Sequence, residues 1–227
     1  NGYSGFVPDE GTRDAYKEGL GNSADINLLL TAMLRYAKVN ANPVLLSTPD
    51  NGIPLFPTRN GFNYLITAVE LPGGIILLDA TDPTAGMNEL PERARNWQGR
   101  IIREEGSSDW VNVFPFKVSE TSKRMNIKVS PEGIDGLAYV DYGGLYAKKY
   151  REDNSSKTKD DILENLSGRN SNVEITDLNL KNFETVGANI TQNYKFKISN
   201  GMEVIYDKIF FKPMFYETLN ENPFKAD

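Results

Sequence analysis

The sequence predicts an α+β protein in two parts: a helix packed on an antiparallel sheet, then a β-rich region carrying a helical insertion. Three observations predict it. One apolar stripe of helical period runs from Ile26 to Ala37. Two strand-like runs, 62–71 and 75–78, flank Gly73-Gly74, a hairpin signal. Beyond residue 120, period-two alternation dominates, as in Met125/Ile127/Val129 and Tyr194/Phe196/Ile198.

The elements follow in order. Residues 11–19 read as a short helix stopped by Gly19 or Gly21. The next helix carries Ile26, Leu29, Leu30, Met33, Leu34 and Ala37 on one face, expected in the core, with Asn22 or Ser23 as N-cap and Asp25 at the positive end of the dipole. Pro43 to Thr48 reads as a strand. The stretch Pro49 to Gly61, rich in Pro and Gly, is a loop, as is Asp82 to Gly86. Short strands are expected at 100–103 and 110–113.

The character changes near Phe114 to Glu120, which sets domains of 1–118 and 119–227. In the second, Pro131-Glu132-Gly133 is a turn. Residues 144–152 and 158–167 are helical, with capping-box spacing from Thr158 to Asp161. Strands 173–180, 190–199 and 202–211 complete a sheet, with Asn200-Gly201 as the hairpin between the last two.

Composition narrows the function. The 227 residues hold 39% apolar and 25% charged side chains, enough to bury a core without disulfide or metal staples. A net charge of −6 argues against a nucleic-acid partner, which needs a basic face. No segment has the length of apolar sequence that a transmembrane helix needs, and no signal peptide is visible. The chain opens without Met on Asn1-Gly2-Tyr3, which reads as a piece of something longer. It contains no Cys and no His, so thiolate, imidazole and zinc chemistry of the usual ligand types are excluded. No cofactor and no metal site are expected; Asp79, Asp82 and Asn88 do not match an EF-hand ligand pattern.

Four motifs then stand in order: Gly21-Asn22-Ser23-Ala24-Asp25-Ile26-Asn27, Asn42-Pro43-Val44, Phe62-Asn63-Tyr64 and Leu78-Asp79-Ala80-Thr81. Together they resemble the core of the transglutaminase-like superfamily, in the multidomain bacterial form where a β-rich domain follows. The resemblance covers residues 1–118 and implies a papain-like core lacking upstream elements. It also implies a Cys opening a helix, a His on a following strand and an Asp on the next. Those three slots hold Ser23, Tyr64 and Asp79 here. The resemblance further implies an exported protein, periplasmic or secreted, with an upstream domain of the same precursor as partner.

The chemistry of the slots has changed. A serine hydroxyl cannot be ionised usefully by a helix dipole and needs a base. A tyrosine, with a reference pKa of about 10, is protonated at neutral pH and is a poor base. Replacement of the Cys alone would leave a His behind; none exists. The expectation is therefore a catalytically inactive module, binding or structural, whose degenerate cleft of Ser23, Tyr64, Asp79 and Asn63 can hold a peptide or a glycan. The alternative is a serine-dependent amidase, peptidase or acyl transferase using Ser23 with a lysine such as Lys17 as base. A third reading is a structural spacer without ligand, marked by a cleft closed at Ser23 and Tyr64.

Each residue also has a plainer reading. Ser23 caps the helix, Tyr64 packs its ring and ties its hydroxyl to an acceptor, and Asp79 caps a turn. Trp97 and Trp110 line a groove or fill core. Arg93, Arg95, Arg100 and Arg103 pair with Glu89, Glu92, Glu104 and Glu105 on a solvated face. Phe210, Phe211, Phe215 and Tyr216 belong to an edge strand and tail. On the family reading, Ser23, Tyr64 and Asp79 converge in space.

Overall fold

The computed structural model describes residues 5–9, 11–114, 118–168, 172–199 and 201–215. The chain divides into two compact units: residues up to Ser119 with Thr185–Ala188, and Glu120–Glu184 with the residues from Asn189 onward. The class is α+β with antiparallel sheets. The grouping of 185–188 with the first unit has no counterpart in the two continuous domains read from the sequence.

In the first unit, α1 (Thr12–Glu18) and α2 (Ser23–Tyr36) precede β1 (Ala41–Leu46), β2 (Tyr64–Leu71), β3 (Gly74–Leu78), β4 (Gln98–Ile102) and β5 (Ser108–Asn112). The strands form one antiparallel sheet in the order β3-β2-β1-β4-β5. Leu71 pairs with Gly74, so the β2–β3 hairpin turns on Pro72-Gly73 and not on Gly73-Gly74. Gly74 instead opens β3 as the closing pair of the turn. Val44, Leu46, Tyr64, Ile66, Ala68, Leu77 and Ile101 build the core with residues of the 90–94 and 111–113 stretches.

Helix α2 departs from expectation. Its buried residues are Ser23, Ala24, Asp25, Asn27 and Thr31, and Met33, on the Leu-rich stripe, is 57% exposed. The edge that meets β2 is polar and spaced i, i+4, i+8: Ser23, Asn27, Thr31. It is held by hydrogen bonds rather than by apolar contact alone. Thr31 Oγ1 lies 3.0 Å from Thr67 Oγ1, and both hydroxyls donate to the Asn27 carbonyl at 2.8 Å. The helix starts where a cap requires it. Asn22 Oδ1 accepts from Ala24 N and Asp25 N, and Asp25 Oδ2 accepts from Asn22 N at 3.0 Å, a reciprocal capping box.

In the second unit, β6 (Thr121–Ser130), β7 (Gly133–Tyr142), β8 (Val173–Lys181) and β9 (Ile190–Ile198) form an antiparallel sheet ordered β6-β7-β9-β8. Helices α3 (Leu145–Asn154) and α4 (Lys159–Ser167) lie between β7 and β8 in sequence. The Thr158–Asp161 capping box is formed. Ile134, Ala138, Val140, Ile175, Tyr194, Phe196 and Ile198 make the core, with Phe215 packed on Phe196. The 202–211 stretch is not one strand of that sheet. It folds on itself as β10 (Met202–Ile205) and β11 (Lys208–Phe211), a separate two-stranded ribbon turning at Tyr206-Asp207. Asn200 of the expected Asn-Gly hairpin, and Tyr216, lie outside the described residues. Among the described residues no helix is long and apolar enough to cross a membrane.

Candidate functional site

The capping box fixes the first turn of α2 and sets Ser23 against β2. Ser23 is 0% exposed. Its hydroxyl donates to the Gly5 carbonyl at 2.6 Å and accepts from Gly5 N and Leu65 N, both at 3.3 Å. The hydroxyl proton is thus committed to a carbonyl, which cannot remove it. Lys17 stands on the other side of the argument for a serine enzyme: its ammonium is exposed and pairs with Asp14 at 3.5 Å on its own helix.

Tyr64 opens β2 and is also 0% exposed. Its hydroxyl donates to Asp79 Oδ2 at 2.8 Å, lies 2.8 Å from Thr81 Oγ1 and accepts from Arg93 Nε at 3.0 Å. Burial, followed by the neighbouring Asp79 charge, pushes the Tyr64 pKa up to about 12. The phenol is therefore further from acting as a base than a free tyrosine is. Arg93 also donates to Thr81 Oγ1 at 2.9 Å, and its guanidinium carbon lies 5.7 Å from the Tyr64 ring centre. Burial opposes the Arg93 charge, but Tyr64 and the carboxylates of Asp79 and Asp82 outweigh it and raise its pKa.

Asp79 follows β3 and is fully used. Oδ1 accepts from Asn27 Nδ2 at 3.0 Å, Thr81 N at 3.0 Å and Thr81 Oγ1 at 2.6 Å, while Oδ2 holds Tyr64. Here the turn-capping role of an Asp before Ala-Thr is realised. Asn27, one turn beyond Ser23, joins the two halves: it donates to Leu65 O at 2.9 Å and to Asp79, and accepts from Ala80 N at 2.9 Å. The three predicted positions therefore come together in a chain of contacts. Ser23 meets the backbone of the residue after Tyr64, and Asn27 carries α2 to Asp79.

Three residues of this network, Asn27, Thr81 and Arg93, were missed by sequence reasoning. Asn27 had a signal, a polar side chain four residues after Ser23 inside a Leu-rich helix. Arg93 had none; the expectation paired it with glutamates on a surface. The other arginines differ in partners too. Arg103 pairs with Glu70 at 2.8 Å and Asp109 at 2.6 Å, and Arg100 donates to Ser108 Oγ. Pairing of β4 with β5 brings up Ser108 and Asp109, and Glu70 comes from β2 on the far side of β1, where sequence proximity had suggested Glu104 and Glu105.

Asn63 turns away from the network. Its side chain donates to Thr48 Oγ1 and accepts from Thr48 N, both at 2.8 Å, tying β2 to the loop after β1. Trp97 and Trp110 pack on each other with ring centres 5.0 Å apart, and Phe62 and Arg100 cover Trp110 at 6.2 and 5.2 Å. Among the described residues no group of three or more Asp and Glu is placed to hold a metal ion. Comparison with protein-family models, curated proteins and solved structures returns no match.

Proposed function

We propose that this chain is a catalytically inactive transglutaminase-like module, with a papain-like core followed by a β-rich domain, and that it serves as a structural or binding part of a larger exported bacterial protein. The observation that carries this is the fate of the two proton-handling positions. The Ser23 hydroxyl donates to a carbonyl, and the Tyr64 phenol, pushed up to about 12, donates to Asp79. Neither can pass a proton to the other at neutral pH. The order of the four motifs supports the family assignment, and the contacts joining α2, β2 and the end of β3 are compatible with it.

Both side chains are fully buried, which puts the old nucleophile out of reach of a substrate and favours the structural reading, marked by a cleft closed at Ser23 and Tyr64. The Ser23 hydroxyl donates to the Gly5 carbonyl and the exposed Lys17 ammonium lies beside Asp14, contacts that do not favour a Ser–Lys enzyme. The test is a broad panel of peptide, amide and acyl-transfer substrates, with a fluorophosphonate probe for Ser23. The expected result is neither turnover nor labelling. Turnover abolished by Ser23→Ala would refute the proposal.

A further inference from the structure

The core of the second unit encloses polar atoms that its apolar contacts do not serve. Strand β9 lies between β7 and β8, and Ile190, Gln192, Tyr194, Phe196 and Ile198 alternate onto its buried face. Gln192 is thus an amide in a row of apolar and aromatic side chains, and it is 0% exposed. Its Oε1 accepts from Tyr142 Oη at 3.0 Å. Its Nε2 is buried and has no partner among the described residues. Tyr142 leads from this amide to α3, because its ring centre lies 4.7 Å from that of Tyr150. The Tyr150 hydroxyl is also buried and also has no partner among the described residues. The Phe183 ring meets Tyr150 edge-on at 6.1 Å. Burial, followed by the neighbouring Tyr194, pushes the Tyr150 pKa up to about 12, so its hydroxyl keeps its proton at neutral pH.

We propose that Gln192 and Tyr150 together hold one internal water molecule between α3 and the β7–β9 face of the sheet. Tyr142 brings the two groups to the same side. In the register of β7 with β9, Val140 stands opposite Gln192 and Tyr142 opposite Ile190, so Tyr142 reaches the amide diagonally and stacks on Tyr150. The chemistry of the groups selects the ligand. An amide N–H and a neutral phenol carry no charge with which to hold an ion. The cations of α3 are held elsewhere: Lys148 by Glu152, and Arg151 by the carbonyls of Asn182 and Phe183. Gln192 is closed to bulk solvent, which leaves the smallest molecule that can accept from the amide and exchange a hydrogen bond with the phenol. Two buried polar groups left unmet cost more than the ordering of one water. The site lies in the second unit and does not depend on the fate of Ser23 and Tyr64.

A crystal structure that resolves single waters tests the site directly. A density peak at about 2.7–3.2 Å from both Gln192 Nε2 and Tyr150 Oη is expected. No peak there, or a protein group bonded to Nε2 in its place, overturns the inference. Tyr150→Phe tests it in solution, and the sign of its effect discriminates. The substitution keeps the ring, so the contacts with Tyr142 and Phe183 stay and a loss cannot be assigned to packing. If the hydroxyl bonds an enclosed water, its removal loses that bond, and the unfolding equilibrium constant of the second unit should rise about threefold or more. If the hydroxyl is buried without any partner, its removal relieves a penalty and the variant is as stable as the wild type or more so. Urea unfolding followed by far-UV circular dichroism reads the difference. A rise smaller than about threefold, or a gain in stability, refutes the water.

Discussion

Replacing Tyr64 by Phe removes one oxygen from a buried junction and tests the whole account of the cleft. Three partners lose a contact: Asp79 Oδ2 at 2.8 Å, Thr81 Oγ1 at 2.8 Å and Arg93 Nε at 3.0 Å. Thr81 and Arg93 keep each other, but Asp79 Oδ2 loses its donor on a residue 5% exposed. A buried carboxylate oxygen left bare places the loss near the upper end of the usual range, about 2–3 kcal/mol at pH 7. The pH dependence adds a second handle. The folded-state pKa is raised, from 10.0 to about 12, so the wild type keeps its full stability below pH 10 and loses it as pH rises toward 12. The phenylalanine variant has no such group. The gap between the two proteins should therefore narrow by about 2 kcal/mol between pH 8 and pH 11.5. Both tryptophans, Trp97 and Trp110, lie in the first unit, so urea unfolding followed by tryptophan fluorescence reads that unit selectively. A loss under about 0.5 kcal/mol at pH 7, or a gap that does not change with pH, would show that the hydroxyl is not the junction described.

Other perturbations probe separate links. Asn27→Ala deletes three hydrogen bonds of a fully buried amide and should lower first-unit stability by about 2–4 kcal/mol, read by the same fluorescence assay. Gly136→Ala puts a Cβ within 2.9 Å of the edge of the Phe196 ring and should cost about 1–3 kcal/mol in the second unit, seen by far-UV circular dichroism. Thr158→Ala breaks the α4 capping box and should cost about 1 kcal/mol in that unit, leaving the tryptophan-monitored transition unmoved.

The strands were legible because their signals are local. Alternation along 194–198 places Tyr194, Phe196 and Ile198 in the core, and the spacing from Thr158 to Asp161 gives the cap of α4. The orientation of α2 was not legible. An apolar stripe shows that a face is apolar, but not whether the sheet beneath offers apolar side chains or unpaired polar groups. Here β2 presents Leu65 N, Leu65 O and Thr67 Oγ1, and the polar edge of Ser23, Asn27 and Thr31 meets them. The 202–211 segment failed for a related reason. It is rich enough in β-branched and aromatic residues to read as one long strand, and the turn at Tyr206-Asp207 lacks the glycine that marks tight hairpins.

Restoring the missing side chains alone should not restore the chemistry. In a Ser23→Cys/Tyr64→His variant the thiol would sit where Ser23 now sits, buried and facing the Gly5 carbonyl. Burial raises a thiol pKa, and a carbonyl acceptor stabilises the protonated form. The helix terminus pulls the other way, but the Asp25 carboxylate stands in the same first turn and offsets that positive end. Two effects raise the pKa; the blunted helix terminus and the two long N–H contacts from Gly5 and Leu65, both at 3.3 Å, lower it less. The thiol should therefore titrate at or above the free-cysteine value of about 8.5. Because the chain has no other cysteine, the pH dependence of iodoacetamide alkylation reads this group alone. An apparent pKa below about 7 would mean that the histidine reaches the thiol and that the Gly5 contact does not seal it, and the cleft would then be an active site lacking only its two reagents.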